Sequence, residues 1–359
     1  MSTTLFRCIT SAFVLAAGLV LPAGGHAQQS ADSATFIIRL GTDTTAIEQW
    51  VRVGNRIEST VVSRSPRTTV RRYVATLDSQ GLASHFALDG QATAAVVPAA
   101  IPSAGGFYAP QALALAYAAR MRDTLAAVPM LNGTTAQKLT VRRVGPDAFE
   151  VLNAAGAATM RARLSSAGRL LWLETPAGAS AERVAWQDID AARRNFAARD
   201  ERGQGMGALS STDTVRTTSA GAAIAVVYGR PAARGRTVFG GLVPFGKVWR
   251  TGANDATELL IDRPVRIGDL LLDPGKYALL TVPGPTQWHL IVNGRTGMAG
   301  AMQNDATQEL GRTAMATRPL SSHTEKFTIL VEPVPTGAVL KFRWETTEAF
   351  VPIIVQRKQ

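Results

Sequence analysis

The chain has 359 residues, 46% of them apolar and 18% charged, a globular composition whose length exceeds what one hydrophobic core usually organises, so two domains are expected. The net charge of +11 comes overwhelmingly from arginines spread evenly along the sequence, without a basic run interleaved with aromatics, which argues against a nucleic-acid partner. The one cysteine, Cys8, lies in the N-terminal leader, so a chain cleaved after that leader has no disulfide, thiolate metal site or cysteine nucleophile.

Residues 1–27 read as a secretory signal peptide. Arg7 precedes an apolar run from Ile9 to Leu21, and the small residues Gly25 and Ala27 mark a cleavage point. The run is too short for a membrane span and breaks at Pro22. The mature chain is therefore expected to start near Gln28, to be exported to a periplasmic or extracellular location, and to keep no integral span. Cys8 precedes the apolar run, which does not suit a lipid-anchored cysteine.

From Thr35, segments of period-two alternation such as "RIESTVVSR" and "TTVRRYVATL" are separated by turn residues, with Gly54 and Asn55 as a tight hairpin turn. A meander of about five strands is expected. The period then changes. Leu113, Tyr117, Met121 and Leu125 recur every four residues between Pro110 and Pro129 and predict the one long helix. Four more strands and a short second helix, from an N-cap at Asp190 to just before Gly203, complete an α+β domain over residues 28–200: a curled antiparallel sheet crossed by a helix. This order of elements is similar to that of periplasmic lipoprotein carriers, which would imply a lipid-holding interior behind the Leu113 stripe.

Residues 201–221, rich in glycine, serine and threonine, predict a linker. Residues 222–359 alternate in about seven strands without helices, which predicts an antiparallel β-sandwich and a chain that is mostly β.

This second half carries specific motifs: Tyr228 to Pro231, the pair Gly235 and Arg236, "LVPFGKVWRTGAN" followed by Asp255, Ala256 and Thr257, and "PGKYALLTVPG" before Trp288. In these it resembles the bacterial domain of unknown function 2911 family, over roughly Ala222 to Arg357. The resemblance implies an exported protein and a hallmark loop, without an assigned activity.

In that loop Phe245, Val248 and Trp249 read as core anchors, and Asn254 and Asp255 as side chains that lock a turn. A binding reading stands beside this one. Arg236, Arg250, Asn254, Asp255 and Thr257 would converge as a pocket for a small polar or anionic ligand or an envelope component. No glycine-flanked serine elbow, phosphate loop or dinucleotide fingerprint is present, so no cofactor is expected. His85, His289 and His323 show no metal-ligand spacing, so no metal is expected either. The resulting expectation is a non-enzymatic binding or interaction module. Its alternatives are an envelope hydrolase using Asp255 and His289, and a lipid carrier built on the first domain.

Overall fold

Inward-facing apolar residues at every second position organise both halves of the chain into sheets. The computed structural model describes residues 32–91, 94–299 and 306–356. The expected signal peptide and its cleavage point lie outside these residues.

The first half builds a closed barrel of twelve strands. They are β1 (Asp32–Leu40), β2 (Asp43–Val53), β3 (Arg56–Ser63), β4 (Thr69–Leu77), β5 (Ala83–Leu88), β6 (Ala94–Ser103), β7 (Leu125–Asn132), β8 (Thr135–Arg143), β9 (Ala148–Leu152), β10 (Ala158–Leu164), β11 (Leu170–Glu174) and β12 (Ala179–Val184). Neighbours in sequence are neighbours in the sheet, and β1 closes the ring by pairing with both β2 and β12. Helix α1 (Ala109–Met121) connects β6 to β7, which is why this pair alone among the barrel's is parallel. The curled sheet expected from the sequence is thus a complete barrel rather than an open α+β layer. Closure follows from β6, β7 and β12, three strands the alternation did not reveal.

Helix α1 is also shorter than its spacing implied. Pro110 opens it, but Arg122 takes a left-handed conformation (φ 60°) and stops it, so Leu125 begins β7 and Pro129 lies inside that strand. Leu113 and Leu115 of α1 join Phe36, Trp50, Ile57, Tyr73, Phe107 and Leu173 in one continuous buried cluster. Each such side chain contributes about 1.5–3 kcal/mol by leaving water.

Helix α2 (Ile189–Glu201) is capped two residues ahead of the expected position. Asp188, not Asp190, accepts the Ala191 N–H at 2.9 Å. The helix lies outside the barrel, where Asp200 accepts the Thr68 N–H at 2.7 Å and the Arg64 guanidinium sits 5.0 Å from the Phe196 ring centre.

The second half is one sheet of nine strands: β13 (Ser210–Ser219), β14 (Ala222–Pro231), β15 (Thr257–Ile261), β16 (Val265–Ile267), β17 (Leu270–Leu272), β18 (Gly275–Val282), β19 (Trp288–Asn293), β20 (Glu309–Val334) and β21 (Gly337–Val355). Their order is β13-β14-β15-β18-β19-β20-β21-β16-β17. A two-sheet sandwich was expected, but β20 and β21 are 26 and 19 residues long and carry the pairing from β19 through to β16 in one sheet, irregular between Pro319 and Thr328. The sheet folds over its own core. Val226, Leu259 and Leu279 from one part pack in the same cluster as Phe342, Val351 and Ile353 from the other. Strand β13 occupies residues expected in the linker, pairing with β14 over its whole length.

Barrel and sheet belong to one compact unit. The turn between β1 and β2 sits against the loop after β14. Thr42 N–H donates to the Arg234 carbonyl at 2.9 Å, Arg234 pairs with Asp43, and a Cβ on Gly41 would lie 2.0 Å from the Arg234 oxygen. Only glycine fits that approach.

Candidate functional site

The loop from β14 to β15 is fixed by contacts with its own sheet. Trp249 exchanges two backbone hydrogen bonds with Thr281, at 2.7 and 2.9 Å, and its ring lies in an aromatic cluster with Phe239, Trp288, Phe327 and Trp344. Its indole N–H donates to the Gly252 carbonyl at 3.1 Å. The chain then turns through Thr251 and Asn254, both at positive φ, and passes over Gly229, where a Cβ would stand 1.9 Å from the Ala253 oxygen. This crossing explains the glycine that follows Tyr228.

The five residues expected to converge are each placed by local contacts of their own. Each nitrogen of the Arg236 guanidinium donates to a carbonyl: Nε to Ala233 at 2.9 Å, Nη2 to Ala232 at 2.7 Å and Nη1 to Ala177, in the β11–β12 turn of the barrel, at 2.7 Å. Burial lowers its pKa. Thr257 is buried, and its hydroxyl donates to the Thr251 carbonyl at 2.6 Å. Asn254 is exposed and its amide donates to the Ser210 carbonyl at 3.2 Å. Arg250 keeps its Nε buried without an acceptor among the described residues, and Asp255 is exposed in an isolated bridge to Ala299.

The pair considered for hydrolysis is likewise not assembled. His289 is an exposed residue of β19, paired across the sheet with Val282 and Ala314, and no hydrogen bond or ion pair among the described residues links it to Asp255. Among the described residues no group of three histidine, cysteine, aspartate or glutamate side chains could hold a metal ion.

A pocket does open on the other side of the same loop. It measures about 420 Å³ and lies between the hallmark turn and the β18–β19 hairpin. Phe239, Phe245 and Trp288 supply its aromatic walls, and Thr286, Thr317, Thr346 and Thr347 ring it with side chains that carry hydroxyls. Phe245, expected in the core, is 42% exposed at this pocket.

The wall is positioned by an interruption of the sheet. Pro319 pairs with Thr347, but the next paired residues are Thr324 and Glu345, so β20 and β21 part between them. Glu345 adopts a left-handed conformation (φ 50°), and its carboxylate accepts the N–H groups of Val238, at 2.9 Å, and Phe239, at 3.3 Å. That grip fixes Phe239 at the pocket.

Arg318 forms the charged part of the lining. Its Nε donates to Glu348 at 2.7 Å, and Arg343 binds the other oxygen of the same, fully buried carboxylate. Burial by itself would raise the Glu348 pKa, but the hydrogen bonds and charges of Arg343 and Arg318 outweigh it and hold the group below the usual carboxylate range. The two guanidiniums share this carboxylate, and Glu345 supplies a second carboxylate at the same wall.

Residues 210–353 match the family described as "Protein of unknown function (DUF2911)". The match starts at β13, earlier than the sequence motifs implied, and ends inside β21. The pocket and Arg236 therefore lie within the matched segment, whereas the barrel, including the Ala177 carbonyl that Arg236 reaches, lies outside it. No curated protein matches the chain. Among solved structures, a crystal structure of MucB in complex with MucA(peri) is similar over 92% of this chain and 89% of that one, at 11% identity and a TM-score of 0.15. Two chains at that TM-score do not share one overall superposition.

The pocket residues were hidden in the sequence for a physical reason. Phe245 follows a proline and precedes a glycine, a turn signal, yet aromatic residues are buried so often that it read as an anchor. The threonines lie far apart in sequence and meet only through the pairing of β20 with β19 and β21.

Proposed function

We propose that the chain is an exported bacterial envelope protein that binds a small polar or anionic ligand without transforming it, and that the pocket beside Phe245 is the binding site. The exposed aromatic ring of Phe245 carries this reading, because it shares a pocket with Thr286, Thr317, Thr346, Thr347 and the Arg318 guanidinium. An aromatic wall, convergent hydroxyl groups and one guanidinium suit a ligand with an apolar face and acceptor atoms. Export rests on the leader sequence, Arg7 to Ala27.

The other readings draw less support. A hydrolase needs an acid and a base brought together, and no hydrogen bond among the described residues links Asp255 to His289. A lipid carrier needs room for an acyl chain, whereas Leu113, Leu115 and the inward residues of the strands pack into one cluster.

The test is native mass spectrometry of residues 28–359, purified without detergent from the periplasm of a bacterial host, beside Phe245→Ala. A co-purifying mass that disappears in the variant supports the proposal. A bare protein mass, or a bound mass retained unchanged by Phe245→Ala, overturns it.

A further inference from the structure

The outer surface of the barrel presents apolar side chains where a soluble barrel would place polar ones. Met121 at the end of α1, Leu125 at the start of β7, Val144 just after β8 and Leu171 in β11 are 47%, 57%, 53% and 40% exposed. They are not scattered. Because β7 to β11 form an antiparallel meander, the start of β7, the end of β8, the start of β9, the end of β10 and the start of β11 share one rim. Backbone hydrogen bonds from Arg143 N–H to the Thr124 carbonyl, at 2.8 Å, from Val144 to Ala148, at 3.0 Å, and from Leu164 to Asp147, at 2.9 Å, tie these ends together.

Arginines line the same rim. Paired residues of adjacent strands face the same side, so the register Leu125–Arg142–Glu150–Arg161 forms one outward row, and Ala148–Arg163–Trp172 forms a second beside it. Glu150 is matched by Arg142 and by Arg161. Arg163 has no ion pair among the described residues, and it lines a pit of about 570 Å³ with Val144, Phe149, Arg161, Trp172 and Glu150, whose carboxylate is the one Arg142 and Arg161 already neutralise. Arg122 and Arg169 flank the row, and along this rim arginines outnumber carboxylates.

We propose that this rim docks the barrel on an anionic phospholipid surface. Met121, Leu125, Val144 and Leu171 enter the interfacial region, and the pit between Arg163 and Trp172 takes a headgroup phosphate. Apolar side chains interleaved with arginines and a tryptophan are the pattern of a peripheral interfacial surface, in which apolar burial and attraction to anionic lipid act together. A charged fork beside an apolar wall matches a phosphate with its glycerol stem. No helix among the described residues is long and apolar enough to cross a membrane. This inference is independent of the pocket beside Phe245, which belongs to the sheet.

The experiment is cosedimentation of residues 28–359 with vesicles of phosphatidylglycerol and phosphatidylcholine, against phosphatidylcholine alone, at low and high salt. Binding is expected only with phosphatidylglycerol, weakening as salt rises. Arg163→Glu should reduce it by roughly tenfold or more. The combined Leu125→Ser, Val144→Ser and Leu171→Ser variant should reduce it comparably while keeping the wild-type melting temperature, since all three side chains are already exposed. Phe245→Ala should bind vesicles as the wild type does, which separates this proposal from the ligand pocket. Equal binding by wild type and both rim variants, absence of binding to phosphatidylglycerol, or binding to polyglutamate but not to vesicles would overturn it.

Discussion

The carboxylate of Glu48, on β2, accepts the main-chain N–H of Tyr108 at 2.6 Å, 60 positions later in the chain, at the entrance of α1. The same group accepts the Ala109 N–H at 3.0 Å and the Ser59 hydroxyl at 2.6 Å, and it is 1% exposed. No side chain of α1's own N-cap residue supplies this bond, so a strand on the barrel wall caps the helix. Burial pushes the Glu48 pKa up to about 7, against the lowering effect of its three hydrogen bonds.

That shift makes stability depend on pH. The folded state holds the proton more tightly than the unfolded chain, so the contribution is complete below the ordinary glutamate value of 4.5 and is lost as pH rises through about 7. The loss is about 3 kcal/mol. Urea midpoints at pH 5 and pH 8 should show the wild type weaker at pH 8, whereas Glu48→Gln, which keeps an acceptor but cannot ionise, should reduce that difference by most of this amount. Equal pH dependence in the two proteins would contradict the assignment.

Glu348 has the opposite sign. Arg343 and Arg318 depress its folded pKa, so its contribution is present above the ordinary carboxylate range and disappears as pH falls through the depressed value. Glu348→Ala leaves two guanidiniums facing each other over a buried site and should cost about 3–5 kcal/mol. Replacing Arg343 as well, by methionine, should recover part of that loss, measured as a double-mutant cycle in urea.

Gly229 and Gly133 provide a controlled comparison. Alanine at Gly133 meets open space, and its positive φ alone should cost about 1 kcal/mol. At Gly229 the new methyl would meet backbone atoms of Ala253 at 1.9 Å, and backbone cannot swing aside. Thermal denaturation should show Gly229→Ala destabilised by about 3 kcal/mol or more.

Trp249 and Phe245, four residues apart, should respond differently to truncation. Trp249→Ala removes the hub of the aromatic cluster and should destabilise by about 3–5 kcal/mol. Phe245→Ala removes a partly exposed ring and should cost less than about 1 kcal/mol, its effect appearing in ligand retention instead.

The sequence pattern made β1 to β5 and β8 to β11 legible, because each alternates with a period of two between clear turn residues. Strand β6, with Pro98 and Pro102, lacks two ladder donors and looks unlike a strand. In β13, threonines whose β-branched side chains favour strands were outweighed by their polarity, so the segment read as a linker. The helix was visible through Met121, but Leu125 continued its four-residue spacing by coincidence while belonging to β7.

The candidate site was less accessible. Loop-locking roles for Asn254 and Thr257 follow from local chemistry and were within reach. Pocket formation depends on where β20 and β21 separate, a long-range register break for which Pro319 is the sole local sign. Arg236 looked like a ligand-binding fork because nothing in sequence announces a carbonyl donated by Ala177, 59 positions earlier.

The three carbonyls around Arg236 come from both halves of the molecule. Cutting the chain ahead of β13 would release a fragment in which this guanidinium loses Ala177 and Arg234 loses Asp43. The two cationic heads would then be stranded at a freshly bared seam. An intact chain, by contrast, carries a mechanical linkage at that seam: a pull on the barrel's β11–β12 turn is delivered through one arginine to the loop that leads on to Phe239.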